Sequence, residues 1–229
     1  MIRLFPLRGL VEQKGLATPR MRTMIKNPAV AIDLREAELT ATAGMYRILS
    51  ILWCGEVSAE LLEALQSGSH AQTFADHHFF SATETIDVTT LAADYCQLFI
   101  GPRGHLPPYQ SVWEEGQLAG RATASMRRYL DLLEFPLLQR GLEADHLGCQ
   151  LALMGAITTG LSMVGADDQQ RAAYEALGRE FFALHMRWPA ALLTQTRQQA
   201  QTPFYGALGR CTADFLEMES AVWSESKSA

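Results

Sequence analysis

The sequence predicts an all-α fold, in the form of a single helical domain of about seven to nine helices. In successive segments the apolar residues recur three and four positions apart, which is the spacing of an amphipathic helix. No segment sustains the alternation of apolar and polar residues that marks a strand, and no Asn-Gly or Asp-Gly hairpin turn occurs. With 229 residues and 48% hydrophobic composition, the chain can bury a large core. A division into two lobes at a proline-rich hinge loop stays open.

The helices of the first part begin at recognisable caps. Asp33 and Glu36 form a capping pair at the start of a helix that is expected over residues 34 to 54. Ser58 is expected to cap a short second helix. Residues 67 to 83 give no clear signal, so no element is assigned there.

Five further helices are expected in the rest of the chain. They are a helix from Asp87 that ends at Gly101-Pro102, one over residues 116 to 134, one over 145 to 164, one capped by Asp167 and Gln170, and a last one that begins at Thr202-Pro203. The segment 145 to 164 is apolar over a wide face, so it is expected to be the central helix of the core.

Charge is distributed unevenly along the chain. Residues 1 to 32 hold six basic residues and one acidic residue, and are expected to form a flexible basic arm. The remaining 197 residues, the helical domain of 33 to 229, hold 13 basic and 24 acidic side chains, a net charge of −11 within the chain total of −6. This balance disfavours nucleic acid and favours cationic peptide partners.

The sequence contains no pattern that indicates membrane insertion, export or catalysis. No apolar run is long enough to span a bilayer, and the N-terminus lacks the pattern of a secretory signal, so the protein is expected in the cytoplasm. The four cysteines form no CxxC pair and are expected to be buried thiols without a disulfide or a metal. Phosphate-loop, dinucleotide and hydrolase motifs are absent, so neither a cofactor nor enzymatic activity is expected.

The segment from Gly101 to Trp113 is the most distinctive in the chain. It carries three prolines and two glycines, which predicts an irregular connection without a helix, with the hinge loop at about 100 to 116. Tyr109 and Trp113 either pack beneath a structural linker or offer apolar area to a bound peptide at low ordering cost. Composition alone favours the linker.

Acidic residues before the central helix also have two interpretations. Asp145 is placed to cap that helix, which spacing alone favours. Alternatively, Asp145 and Glu143 face a groove and bind arginines of a peptide. His185 and Trp188 are expected to be core residues.

Four motifs occur in order: Tyr95-Cys-Gln-Leu-Phe-Ile-Gly-Pro102 running into Pro107-Pro-Tyr-Gln-Ser-Val-Trp113, then Glu143-Ala-Asp-His-Leu-Gly148, then Phe182-Ala-Leu-His-Met-Arg-Trp188, and last Phe204-Tyr-x-x-Leu208. Together they resemble the TorD/DmsD family of redox-enzyme maturation chaperones over about residues 34 to 222. The resemblance implies a cytoplasmic, all-helical, non-catalytic protein. Such a chaperone binds the twin-arginine leader peptide or the apo-form of a molybdoenzyme catalytic subunit and delays export until the molybdopterin is inserted.

The resemblance also implies a set of peptide-binding residues. Those that match the hinge-loop motif are Leu98, Phe99, Gly101, Pro102, Pro108, Tyr109, Ser111 and Trp113. Asp145 and His146 match the leader-binding pair, and Glu143 lies beside them. Ala144 stands where the family often has proline, and the basic arm has no counterpart, so the identity of the leader stays undetermined.

Several alternatives stay open at this point. One is a metal-dependent all-α hydrolase that uses His77, His146 and His185 with acidic partners. A wider metal set would add His78, Asp76 or Asp145, but adjacent residues on a helix point about 100° apart, which argues against it. Another is an assembly chaperone for a membrane-anchored reductase without a leader. Contact with the twin-arginine translocase and a homodimer are not decided by the sequence.

Overall fold

The computed structural model describes residues 28–67, 78–79, 87–137, 141–165 and 167–224, with side chains from residue 36 onward. Across these residues every regular element is helical, which confirms the all-α prediction. None of the described helices has the length and the hydropathy that crossing a bilayer requires. Most of the predicted basic arm, and most of the stretch from 67 to 83, lie outside the described residues.

The described chain forms nine α-helices and one π-helical segment. Their bounds are α1 Pro28–Cys54, α2 Ala59–Ser67, α3 Val88–Tyr95, the π-helical segment Cys96–Ile100, α4 Gln110–Glu115, α5 Arg121–Leu132, α6 Leu147–Met163, α7 Asp168–His185, α8 Ala190–Gln199 and α9 Pro203–Ser224.

Helix α6 is the centre of the core, as its wide apolar face predicts. Leu151, Leu153 and Met154 are all fully buried, so the helix is covered on most sides. Helix α1 packs along α6, and α7 packs on α6 as well. Gly155 allows the close approach of α1, because a Cβ atom there would lie 3.1 Å from the Cβ of Tyr46.

Helix α9 is joined to α1 by hydrogen bonds between buried side chains. The Tyr46 hydroxyl and the Trp223 indole N–H both donate to the Glu219 carboxylate, each at 3.0 Å. Trp53 donates its indole N–H to the hydroxyl of Thr212, also at 3.0 Å. Burial raises the pKa of the Glu219 carboxyl group. These bonds satisfy polar groups that would otherwise destabilise the interior.

Three predicted helix starts are confirmed by side-chain caps. Ser58, Asp87 and Asp167 each accept a backbone N–H three residues ahead, at 3.2, 2.7 and 3.0 Å. The predicted start at Asp33 is wrong, because α1 already begins at Pro28. Proline is favourable in the first turn of a helix, and no further proline occurs before Cys54.

The helix predicted from residue 116 begins only at Arg121. Gly116 has a left-handed φ of 71° and ends α4. The carboxylate of Glu115 then accepts the backbone N–H groups of Arg121 and Ala122, at 3.1 and 3.2 Å, and so caps the next helix. Leu118 lies in this turn, outside the helix, and is exposed.

Candidate functional site

The hinge loop leaves the π-helical segment in a fixed path. The backbone N–H of Gly101 donates to the carbonyl of Cys96 at 2.7 Å, and that of Leu106 donates to the carbonyl of Leu98 at 2.6 Å. Leu98 and Phe99 are buried beneath this path. The segment that precedes the loop is therefore anchored in the core, and the loop itself closes on it.

The second half of the predicted loop is helical, which corrects the expectation of an irregular connection up to Trp113. Helix α4 begins at Gln110, directly after Pro108 and Tyr109. Beyond Pro108 the sequence contains no further proline or glycine until Gly116, so nothing prevents a short helix. Trp113 is part of this helix, and its indole N–H donates to the carbonyl of Pro107 at 2.7 Å.

Asp145 stabilises the start of α4 rather than the start of α6. Its Oδ2 accepts the backbone N–H of Ser111 at 2.8 Å, and its Oδ1 accepts the hydroxyl of Thr123 at 2.6 Å. The side chain is 0% exposed. The prediction that Asp145 caps the central helix is wrong, since His146 occupies that position and its Nδ1 accepts the N–H of Gly148 at 3.0 Å.

The hinge loop and the Asp-His segment pair with each other through their backbones. Leu147 donates its N–H to the carbonyl of Pro108 at 2.8 Å, and Gln110 donates its N–H to the carbonyl of Asp145 at 3.2 Å. Between these bonds the rings of Tyr109 and His146 meet edge to face, with centroids 5.0 Å apart. Two of the four sequence motifs thus form one local structure.

A network of buried polar side chains joins these two motifs to the motif Phe182–Trp188. The Gln110 Oε1 accepts from the Gln150 amide at 2.7 Å and from His185 Nδ1 at 2.8 Å. Trp188 donates its indole N–H to Gln150 Oε1 at 2.8 Å. Since Nδ1 carries the ring proton, His185 Nε2 accepts the Ser125 hydroxyl at 3.0 Å. Burial lowers the pKa of His185 to about 4.

The two glutamines of this network were not singled out from the sequence. Gln150 interrupts the apolar face of the central helix, and Gln110 lies between the aromatic residues of the loop. A polar amide within an apolar stripe is the signal that could have identified them, because a buried amide requires hydrogen-bond partners. His185 is a core residue, as predicted, and Trp188 is partly buried.

A cavity opens beside the paired segments. It has a volume of about 390 Å³ and is lined by Cys54, Gly55, Glu56, Tyr95, Phe99, Ile100, Pro108, Tyr109, Leu142 and His146. A larger cavity of about 860 Å³ adjoins it between α1 and α6, and both share Cys54, Gly55 and Glu56. We refer to these two adjoining cavities as the α1–α6 groove. The walls of the smaller cavity combine aromatic and aliphatic side chains with polar groups, including one carboxylate, that of Glu56.

The eleven residues expected to bind peptide fall into three groups by their location. Phe99, Pro108, Tyr109 and His146 line the smaller cavity. Leu98, Ser111 and Asp145 are buried and do not line it. Gly101, Pro102, Trp113 and Glu143 are at least partly exposed, and Glu143 forms an ion pair with Arg127 at 2.8 Å. The structure therefore brings four of the expected residues together around one opening.

The cysteines differ from the expectation of four buried thiols. Cys149 and Cys211 are buried, but Cys96 is exposed on the outer face of the π-helical segment and Cys54 is partly exposed at the groove. A hydrogen bond from Cys149, and contact with His146, lower the pKa of Cys54 to about 5 against the opposing effect of burial.

Among the described residues one group has donor atoms close enough for a metal ion. It consists of Cys54, His146 and Cys149, whose donor atoms all lie within 4.8 Å of one another. The ligand set of the hydrolase alternative is different. His185 belongs to the glutamine network and not to this group, and His77 lies outside the described residues.

Comparison with known proteins gives matches over most of the helical domain. A family model described as nitrate reductase delta subunit matches residues 55–219. The chain is 32% identical to the chaperone protein YcdY of Escherichia coli (strain K12) over 142 residues, which is 62% of this chain and 68% of that protein. It is 31% identical to the chaperone protein TorD of Shewanella oneidensis over 136 residues, covering 50% of this chain and 63% of that protein. No solved structure matches.

These matches agree with the four motifs and with the all-helical fold. The family model covers more than half of the chain, and both named relatives are described as chaperone proteins. The alternative of a hydrolase therefore has no support from the comparisons. The chain belongs to the TorD/DmsD family of molybdoenzyme maturation chaperones.

Proposed function

We propose that this protein binds the twin-arginine leader peptide, the apo-form of a molybdoenzyme catalytic subunit, or both, in the α1–α6 groove. Binding would hold the client in the cytoplasm until its molybdopterin is inserted. The observation that carries the proposal is the smaller cavity, where Phe99, Pro108 and Tyr109 of the hinge-loop motif meet His146 of the Asp-His motif. A peptide that enters there contacts residues of the motifs that resemble the family.

The chemistry of the groove suits a leader peptide. Such a peptide has a cationic head followed by an apolar segment, which require a carboxylate and an apolar surface respectively. Glu56 is exposed on the wall that both cavities share. The larger cavity contains Arg47 and apolar residues of α1 and α6. We therefore place the arginines at Glu56 in the smaller cavity and the apolar segment along the larger one.

Asp145 shapes this site by positioning other residues, and it does not contact the peptide itself. Both of its carboxylate oxygens are engaged inside the protein, with Ser111 and Thr123. It holds α4 and the hinge loop, and so fixes Tyr109 at the cavity. Glu143 is partly exposed and offers a second carboxylate near the opening, although its present partner is Arg127.

The proposal is tested by the affinity of a fluorescent twin-arginine leader peptide. Tyr109→Ala should weaken binding at least about tenfold, because it removes an aromatic wall of the cavity. Tyr174→Ala is the matched control, since Tyr174 is also partly buried but lines neither cavity. A peptide with both arginines replaced by lysine should bind more weakly, because lysine cannot form bidentate bonds with a carboxylate. Equal affinities of wild type and Tyr109→Ala would contradict the proposal.

A second candidate is a chaperone for a reductase that has no leader. The description of the matched family model names a nitrate reductase subunit, which supports a reductase client and does not specify a leader. Co-purification with a catalytic subunit from which the leader has been deleted distinguishes the two. If the leaderless subunit binds as tightly as the full one and the free leader does not bind, this second candidate is correct.

A further inference from the structure

Two cysteines and a histidine meet at the floor of the smaller cavity. Cys54 is the last residue of α1, His146 caps α6, and Cys149 lies in the first turn of α6. One donor atom from each residue lies within 4.8 Å of the other two. The residues are far apart in sequence, so the packing of α1 on α6 creates the cluster.

The spacing is close to that of a metal site. In a tetrahedral zinc site the Zn–S bonds are about 2.3 Å and the Zn–N bonds about 2.0–2.1 Å, which places the donor atoms roughly 3.5–3.8 Å apart. The three donor atoms therefore need to approach one another by at most about 1.3 Å. Rotation of the cysteine side chains together with a small shift of the ring can supply this movement.

Gly148 makes the approach of Cys54 possible. A Cβ atom at this position would lie 2.4 Å from the Cys54 sulfur and 3.0 Å from the carbonyl oxygen of Ser50. Any other residue there would force α1 away from the first turn of α6. The backbone around the cluster is thus shaped so that the sulfur of Cys54 can lie against the residues on either side of Gly148.

The cluster is closed on one side and open on the other. Cys149 and His146 are almost fully buried, with 2% and 1% exposure. Cys54 and His146 also line the cavity of about 390 Å³. An ion held by the three residues would thus have a fourth position that faces the cavity, where a water molecule or a donor group of a ligand could complete the coordination.

We propose that Cys54, His146 and Cys149 bind a Zn²⁺ ion whose fourth coordination position opens into the cavity. Two thiolates and an imidazole select zinc, or another thiophilic ion, over magnesium or calcium. Each cysteine binds as its thiolate, so any thiol proton that it still carries is released to solvent. The ring proton of His146 moves to Nδ1, which gives up the hydrogen bond from Gly148, and Nε2 becomes the ligand. One cap hydrogen bond is a small loss against new bonds to the metal.

The test is a titration of the metal-free full-length chain with Co²⁺, which reports thiolate ligands through its sulfur-to-metal absorption band. We expect one Co²⁺ per chain, a tetrahedral spectrum, and displacement of Co²⁺ by Zn²⁺. Cys54→Ser and Cys149→Ser should each weaken binding by more than the roughly 10–100-fold that loss of an outer partner costs. Cys211→Ser, which replaces a buried cysteine outside the cluster, should leave the titration unchanged.

A second measurement uses the wild-type chain and does not depend on the folding of the variants. Zn²⁺ should slow alkylation of Cys54 and Cys149, but not of the exposed Cys96, as read by mass spectrometry. Absence of the thiolate band, or alkylation of Cys54 at the same rate with and without Zn²⁺, would overturn the proposal. Leader binding measured in the presence of a chelator tests the groove separately, so the two proposals can fail independently.

Discussion

The Asp145 carboxylate accepts the backbone N–H of Ser111 at 2.8 Å, although 34 residues separate the two. Its other oxygen accepts the Thr123 hydroxyl. One buried side chain therefore links the hinge loop and α4 with α5 and with the start of α6. The acidic residue of the Asp-His motif is explained by this geometry, because an N–H donor and a hydroxyl donor inside the core require a shared acceptor.

Replacement of this carboxylate should destabilise the protein. Asp145→Ala leaves the Ser111 N–H and the Thr123 hydroxyl without their acceptor, and each unpaired buried group costs about 1–3 kcal/mol. We expect the free energy of unfolding, measured in urea, to fall by about 2–4 kcal/mol. Glu143→Ala is the control, since its ion pair is partly exposed and should contribute less than about 1 kcal/mol. A loss for Asp145→Ala no larger than that of the control would contradict this role.

Protonation of His185 should destabilise the fold at acidic pH. Burial lowers its pKa to about 4, below the ordinary value of 6.5, so the unfolded chain binds the proton more readily than the folded chain. Its contribution is complete above about pH 6.5 and is lost as the pH falls towards 4, by up to about 3 kcal/mol. The check is urea unfolding of wild type and His185→Gln at several pH values. A difference between the two proteins that does not change with pH would contradict the expectation.

The packing of the C-terminal helix α9 on α7 should require a residue without a side chain at position 178. A Cβ atom there would lie 2.2 Å from the ring of Trp223. Gly178→Ala must displace the ring, and such overpacking costs about 1–3 kcal/mol, which should lower the melting temperature. Gly165→Ala is the matched control, because no atom lies within 4 Å of its Cβ position. Equal melting temperatures for both variants would show that the interface between α7 and α9 tolerates the added group.

Features decided by neighbouring residues were predictable from the sequence. Ser58 and Asp167 cap the helices they were expected to cap, and Asp87 caps the helix expected to begin there, because each partner is three residues away. The central position of α6 followed from its apolar face. Two helix starts differ from the prediction. The first helix begins at a first-turn proline, Pro28, and not at the capping pair of Asp33 and Glu36. The helix at Arg121 is capped by the carboxylate of Glu115, which lies six residues before it.

Features that depend on contacts distant in sequence could not be predicted. The partner of Asp145 lies on another helix, so spacing favoured a local cap that does not form. Gln110 and Gln150 are 40 residues apart, and only the fold brings them together. Cys54 and Cys149 looked like isolated thiols for the same reason. Four residues of the family motifs line the smaller cavity, and the sequence alone does not show which residues of the motifs do so.

Photo-crosslinking tests most directly whether the client peptide lies in the α1–α6 groove. A leader peptide with a photoreactive group beside its twin arginines would be bound, irradiated and mapped by mass spectrometry. We predict crosslinks at Glu56, Ile100 and Tyr109, with competition by unlabelled leader. Crosslinks confined to the outer faces of α5 or α7, with none at those three residues, would contradict binding of the client peptide in the α1–α6 groove.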